Sequence, residues 1–149
     1  MFVMRKYIFT PVLDLFNNEV VSYSISTSPN LEQIREMLNG LFAKLPADAT
    51  PIFHSDQGWQ YQHAEYQRLL AEHNITQSMS RKGNCMDNGT MENFFGRLKV
   101  EMFYGEKFES VNAFIDELKN YIDYYNNERI SLKLKGMSPV QYRTHSLAI

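Results

Sequence analysis

Two acidic side chains stand out for where the sequence puts them. Asp56 follows the apolar run Pro51-Ile52-Phe53, at the predicted C-terminal end of a strand, where open α/β sheets place their chemistry. Glu92 falls one turn into a helix that opens around Asp87-Asn88-Gly89, and 35 residues separate the two acids. A helical segment, a short strand and a polar loop fill that gap, a connection able to bring the carboxylates together. Converging carboxylates suit Mg²⁺, which takes one or two of them and leaves its other positions to water and phosphate oxygens. Two such ions, about 3.5–4 Å apart, clamp the attacking and leaving oxygens of an in-line phosphoryl displacement. The spacing alone is a weak signal, because acids so separated recur by chance. A two-carboxylate glycosidase competes for the same pair, but leaves the basic C-terminal segment unexplained.

The residues around the acids are more specific. His54-Ser55-Asp56-Gln57-Gly58-Trp59-Gln60-Tyr61, then Gly83-Asn84-Cys85-Met86-Asp87-Asn88-Gly89-Thr90-Met91-Glu92-Asn93-Phe94-Phe95, then Tyr124-Tyr125-Asn126-Asn127-Glu128-Arg129 resemble, in this order, the bacterial insertion-sequence transposases of the OrfB type. Their catalytic core is shared with retroviral integrases, and the resemblance runs from about Tyr7 to Arg143. In that family the second and third members of a DDE triad stand where Asp56 and Glu92 stand here. The first aspartate belongs to the strand before the one over Tyr7 to Leu15, and Met1 to Lys6 contains no acid. Asp14 matches a next-strand aspartate outside the triad.

The resemblance implies an α/β fold of the ribonuclease H-like kind, a mixed sheet flanked by helices and lacking its first strand. Residues 1–149 would form one integrase or transposase catalytic core, truncated before the first catalytic aspartate. The implied activity is DNA transposition, by nicking and strand transfer at element ends, with Asp56 and Glu92 as catalytic acids binding Mg²⁺ or Mn²⁺. With one ligand missing, the expectation is a chain impaired in catalysis. The alternative is a catalytically dead fragment that binds DNA or dimerises as a regulator, or a relic. Implied partners are element-end and target DNA and further copies of the chain, in a homodimer or higher oligomer.

Lys99 returns to the face of Glu92 and resembles the integrase lysine that contacts substrate DNA; without the resemblance it is a routine surface cation. Asn93 is read as a DNA contact or a support for Glu92. Arg81 and Lys82 lie in the polar loop Ser80 to Met86, which matches an integrase loop that approaches DNA and otherwise reads as a solvated connection. Arg129 and Lys133 belong to the one distinctly basic stretch, Glu128 to Arg143, with four cations against one acid. His54 reads as a hydrogen-bonded strand-end histidine in preference to a ligand, and His63, His73 and His145 show no metal-ligand spacing.

These residues need elements to hold them. Tyr7 to Leu15 and Val20 to Ser26 are β-rich around an Asn17-Asn18 turn and predict a hairpin, with Pro11 pointing to an edge or bulge and the outer side of the first strand left unpaired. Asn30 with Gln33 reads as a capping box for a helix with Leu31, Ile34, Leu38, Leu41 and Leu45 on one face. Pro51 to Ser55 suits a parallel strand covered on both sides. Tyr61 to Asn74 predicts one helix, Thr76 to Met79 a strand. Asp87 is placed to cap the Glu92 helix, whose apolar stripe is Met91, Phe94, Phe95, Leu98 and Met102, with Glu92 half sheltered at its edge. Ser110 caps the last long helix, and Ser138-Pro139 starts a terminal one.

Composition sets the bounds. The 149 residues suit one globular domain. A net charge of −2 argues against a general polyanion binder, but residues 81–149 hold 10 of the 15 cations, so a DNA surface is expected in the second half. No apolar run is long enough for a membrane span, no leader is recognisable, and the single cysteine, Cys85, fits a reducing compartment. The expected location is the cytoplasm.

Overall fold

In the computed structural model the described residues are 2–4, 7–81, 89–104 and 106–147. They divide into two compact units, Met1–Val12 with Val21–Gly89, and Leu13–Val20 with Thr90–Ile149.

The first unit holds both sheets. Strands β1 (Phe2–Met4), β2 (Tyr7–Leu13) and β3 (Val20–Ser26) form one three-stranded ladder in that order. β4 (Ile52–Ser55) and β5 (Thr76–Met79) form a second, parallel ladder with Ile52 opposite Thr76 and Ser55 opposite Met79. Both pairing senses are therefore present, as expected, but no ladder joins the two sheets among the described residues. The hairpin of β2 and β3 is where the sequence places it, with Asn18 supplying a left-handed turn residue at φ 61°; asparagine tolerates that conformation better than most.

The outer side of β2 differs from expectation: β1 pairs there antiparallel, Phe2 opposite Phe9 and Met4 opposite Tyr7. Three apolar residues suffice, because an antiparallel return needs only a two-residue connection. Pro11 lies beyond Phe9, the last residue that β1 reaches, so its missing N–H costs no bond on that side.

Helix α1 (Leu31–Phe42) begins at Asn30, whose side-chain oxygen accepts from the Gln33 N–H at 2.9 Å. Its buried face, Ile34, Met37, Leu38 and Leu41, packs with Val12, Tyr61, Tyr66, Leu70 and Ile75 in one apolar cluster. Each such side chain removed from water contributes about 1.5–3 kcal/mol. The single helix expected over Tyr61 to Asn74 is instead two, α2 (Trp59–Gln62) and α3 (Ala64–Glu72). His63 breaks it: its backbone is extended at ψ 141° and its Nδ1 accepts from the Glu65 N–H at 3.2 Å, which makes it the N-cap of α3. β4 is also less covered than expected, since Ile52 is 70% exposed and His54 is exposed beside it. Only the Phe53 face is packed against the core.

The second unit is helical. α4 (Gly89–Leu98) runs into a π-helical turn over Lys99–Phe103, followed by α5 (Val111–Asn127), a short 3₁₀ turn over Leu132–Leu134, and α6 (Pro139–Leu147). Phe94, Leu98 and Met102 are buried, as the stripe on α4 predicts, and Phe94 meets Tyr125 of α5 edge-on with ring centres 5.1 Å apart. Ser110 caps α5 by accepting from the Ala113 N–H. Ser138 and Gln141 cap each other reciprocally at the start of α6, whose first residue is Pro139.

The hairpin tip, Leu13–Val20, is counted with these helices. Asn126 of α5 brackets Val20, accepting from its N–H at 2.8 Å and donating to its carbonyl at 2.9 Å. The Tyr125 hydroxyl donates to the Asn18 carbonyl, and Asn17, fully buried, donates to the Pro139 carbonyl. Glu19 receives the Arg143 guanidinium at 2.9 Å.

Candidate active site

Asp56 stands one residue past β4, at the C-terminal end of a parallel strand. Its Oδ1 accepts from the Gly58 N–H at 2.8 Å, which folds the chain back into a tight turn. Space is tight at position 58: a Cβ would meet Asp56 Oδ1 at 3.0 Å, Gln60 Oε1 at 3.1 Å and the Tyr61 ring at 3.3 Å, so these side chains would have to give. The turn is tied to β5 by Gln57, whose amide donates to the Ser80 carbonyl. Asp56 itself is exposed, and one carboxylate oxygen serves the turn while the other accepts no hydrogen bond among the described residues. Its charge is felt by Tyr61, whose hydroxyl is pushed well above its usual pKa, first by burial and then by the nearby Asp56 carboxylate. His54 has both ring nitrogens engaged, Nδ1 with the Ser78 hydroxyl at 2.9 Å and Nε2 with the Ser80 hydroxyl at 3.1 Å. It is a strand-end histidine spent on hydroxyls.

Glu92 and Asn93 belong to the other unit, on α4. The sequence places Glu92 half sheltered at the edge of the apolar stripe; the structure leaves it exposed, because the helix buries only Phe94 and Leu98 beneath it. Glu92 and Asn93 line an open groove of about 430 Å³ with Gly96, Arg97, Val100 and Glu101. Lys99 is exposed and opens the π-helical turn, a distortion that often accompanies functional sites.

Arg129 is not a free cation. Its guanidinium grips Glu101 from Nε and Nη2 at 2.7–2.9 Å, and the Tyr121 hydroxyl donates to the same carboxylate at 2.7 Å. Burial pushes the Glu101 carboxyl up, but hydrogen bonds from Arg129 and Tyr121, with the charges of Arg129 and Arg97, outweigh it and hold the group below its usual range. Lys133 is exposed in the 3₁₀ turn and Arg81 is exposed after β5. Lys82, the expected Asp87 cap and Cys85 lie outside the described residues.

The residues missed by sequence reasoning are Gly58, Arg97 and Glu101. For Gly58 a signal existed, a glycine two residues after a strand-end aspartate. For Glu101 and Arg97 none did, since their significance comes from a groove and from a partner 28 residues away. The donor chemistry of Asp56 and Glu92 fits a hard divalent cation, both being exposed carboxylates with oxygens to spare. Among the described residues no three His, Cys, Asp or Glu side chains gather as a metal site. No helix of the described residues is long and apolar enough to cross a membrane.

Two family models, both described as the integrase core domain, match residues 2–85 and 92–147. A putative transposase, InsK, for insertion sequence element IS150 of Escherichia coli K12 is 52% identical over 142 residues, covering 95% of this chain and 50% of that protein. A transposase-like protein of Haemophilus influenzae is 55% identical over 142 residues, covering 95% of this chain and 65% of its own length. The chain thus spans about half to two-thirds of the length of these relatives. Among solved structures, the catalytic core domain of BIV integrase superposes with a TM-score of 0.69 at 18% identity, over 97% of this chain and 90% of that one. At that identity the likeness speaks for the fold, which is that of integrase catalytic cores. With the integrase core model over more than half its length, the chain belongs to the integrase core domain family.

Proposed function

We propose that residues 1–149 are the catalytic core with which an insertion-sequence transposase nicks DNA at element ends and transfers strands. Asp56 and Glu92 would hold Mg²⁺ or Mn²⁺, which supplies charge stabilisation to the attacking and leaving oxygens of phosphoryl transfer. The observation that carries this reading is Asp56 itself, exposed at a parallel strand's C-terminal end with one oxygen bonded to the Gly58 N–H, in a family of integrase cores. The chain's own residues do the positioning. The Asp56–Gly58 turn fixes one carboxylate, and α4 presents Glu92 beside Asn93. Lys99, Arg81, Lys82 and Lys133 offer cations to phosphate. Arg129 does so only by giving up Glu101. The working form is a homodimer or higher oligomer on element-end and target DNA.

The second reading is a DNA-binding or dimerising regulator without catalysis. One experiment separates them: incubate the chain with labelled element-end duplex in Mn²⁺ and compare it with Asp56→Asn and Glu92→Gln. Nicking lost in both variants is expected. Nicking retained in either variant overturns the assignment of that acid, and binding without nicking by the parent chain favours the regulator.

A further inference from the structure

The groove beside Glu92 is lined by Arg97 and Glu101, and the arginine that grips Glu101, Arg129, is in the opposite state to Arg97. Arg129 has Nε and Nη2 spent on Glu101, whose carboxylate also receives the Tyr121 hydroxyl. Glu101 is therefore saturated. Arg97 lines the same groove and lies near enough for its charge to act on Glu101, yet among the described residues it has no hydrogen-bond or ion-pair partner. A guanidinium carries five N–H donors in a planar fork that matches the oxygens of a phosphate. Arg97 is half buried as a residue, and its donors are unspent among the described residues. Beside Arg97, Asn93 adds a neutral amide, and Gly96 leaves the groove open, since a Cβ there would meet nothing within 4 Å.

We propose that Arg97 is a substrate-positioning cation, binding a backbone phosphodiester of DNA in the groove that Glu92, Asn93 and Gly96 line. This rests on the reading above and deepens it. It moves the phosphate contact from Arg129, which the sequence singles out, to a residue one turn beyond Glu92. The Glu101–Arg129–Tyr121 cluster then serves to keep Glu101 from capturing Arg97.

The test uses the whole chain and a fluorescent duplex of arbitrary sequence, with affinity followed by anisotropy across a salt series. Arg97→Gln is expected to weaken binding about equally for all sequences and to lower the slope of log affinity against log salt by about one, as loss of one phosphate contact should. Arg97→Lys should restore the slope but not the full affinity, because an ammonium lacks the fork. Gly96→Glu, which places a carboxylate in open space, should weaken binding while leaving the circular dichroism spectrum and melting temperature as in the parent, and it decides the matter if Arg97→Gln fails to fold. Lys119→Gln, on the exposed face of α5, should leave the slope unchanged. An unchanged slope in Arg97→Gln, or an equal loss in Lys119→Gln, overturns the assignment of Arg97 and leaves the parent reading standing. A parent chain with no salt-dependent affinity for DNA overturns both.

Discussion

In the first unit, α1 lays Ile34, Met37, Leu38 and Leu41 against Tyr66, Leu70 and Ile75; in the second, amides, carboxylates and hydroxyls fasten the helices to each other and to the hairpin tip. Apolar burial is non-directional, so the first arrangement fixes proximity and tolerates small shifts. Hydrogen bonds fix both distance and angle. The Glu92 helix itself rests on buried Phe94 and Leu98, with the directional bonds of its unit gathered at Glu101 beyond its end and at the hairpin tip, and the Asp56 turn, in the apolar unit, carries its own local fastening through Gly58 and Gln57.

That contrast can be broken first by truncation. Leu38→Ala should cost about 2–5 kcal/mol, the range for emptying a fully buried site, and Asn126→Ala about 2 kcal/mol by leaving the Val20 N–H and carbonyl without partners. Hydrogen exchange read by mass spectrometry should show the first loss in residues 21–81 and the second in residues 13–20 and 111–127. A Leu38→Ala variant that loosens only the hairpin tip would contradict the division.

Two glycines sharpen it with opposite signs. At Gly40 a Cβ would come within 2.5 Å of the Ser22 hydroxyl, which donates to the Met37 carbonyl at 2.6 Å. Gly40→Ala should destabilise by about 1 kcal/mol, the cost of turning that buried hydroxyl away exceeding the gain in helix propensity. Gly96→Ala meets nothing and should stabilise by up to about 1 kcal/mol. Thermal melts of the two variants on either side of the parent would bear this out.

The smallest effect is electrostatic. The Glu101 carboxyl is held below its ordinary value of 4.5, so its pairing contributes stability that is full above that value and lost as pH falls through the lower, folded one. For a partly exposed group this amounts to about 1 kcal/mol or less. Glu101→Gln should flatten the acid limb of the stability curve below about pH 4.5 and leave neutral pH nearly unaffected. An unaltered acid limb would mean the cluster contributes nothing as a charge pair.

What the sequence displays and what it hides follow one physical line. The caps at Asn30, Ser110 and Ser138 and the stripes on α1, α4 and α5 are legible because they depend on residues within a few positions of one another. Asp56 at a strand end is legible for the same reason. His63 is hidden, because imidazole is an uncommon cap, and so the split into α2 and α3 is missed. The π-helical turn leaves no periodic trace. Arg129 looks like a phosphate contact until Glu101, 28 positions earlier, takes it; Asn126 looks like surface until Val20, 106 positions earlier, is found in its grip. Pairings across such separations are decided by topology, and no local pattern announces them.

The clasp on the hairpin tip also bears on the order in which the chain can assemble during vectorial synthesis. Residues 13–20 leave the ribosome before their partners, since Asn126 and Arg143 follow 106 and 124 positions later. The tip must wait until β4, β5 and α1 to α4 have emerged before it can be bound. Closing so long a loop costs little more free energy than closing one of half the length, but high sequence separation slows folding. The apolar unit is thus free to form first on the nascent chain, and the clasp on the hairpin tip is completed only when α6 has been made.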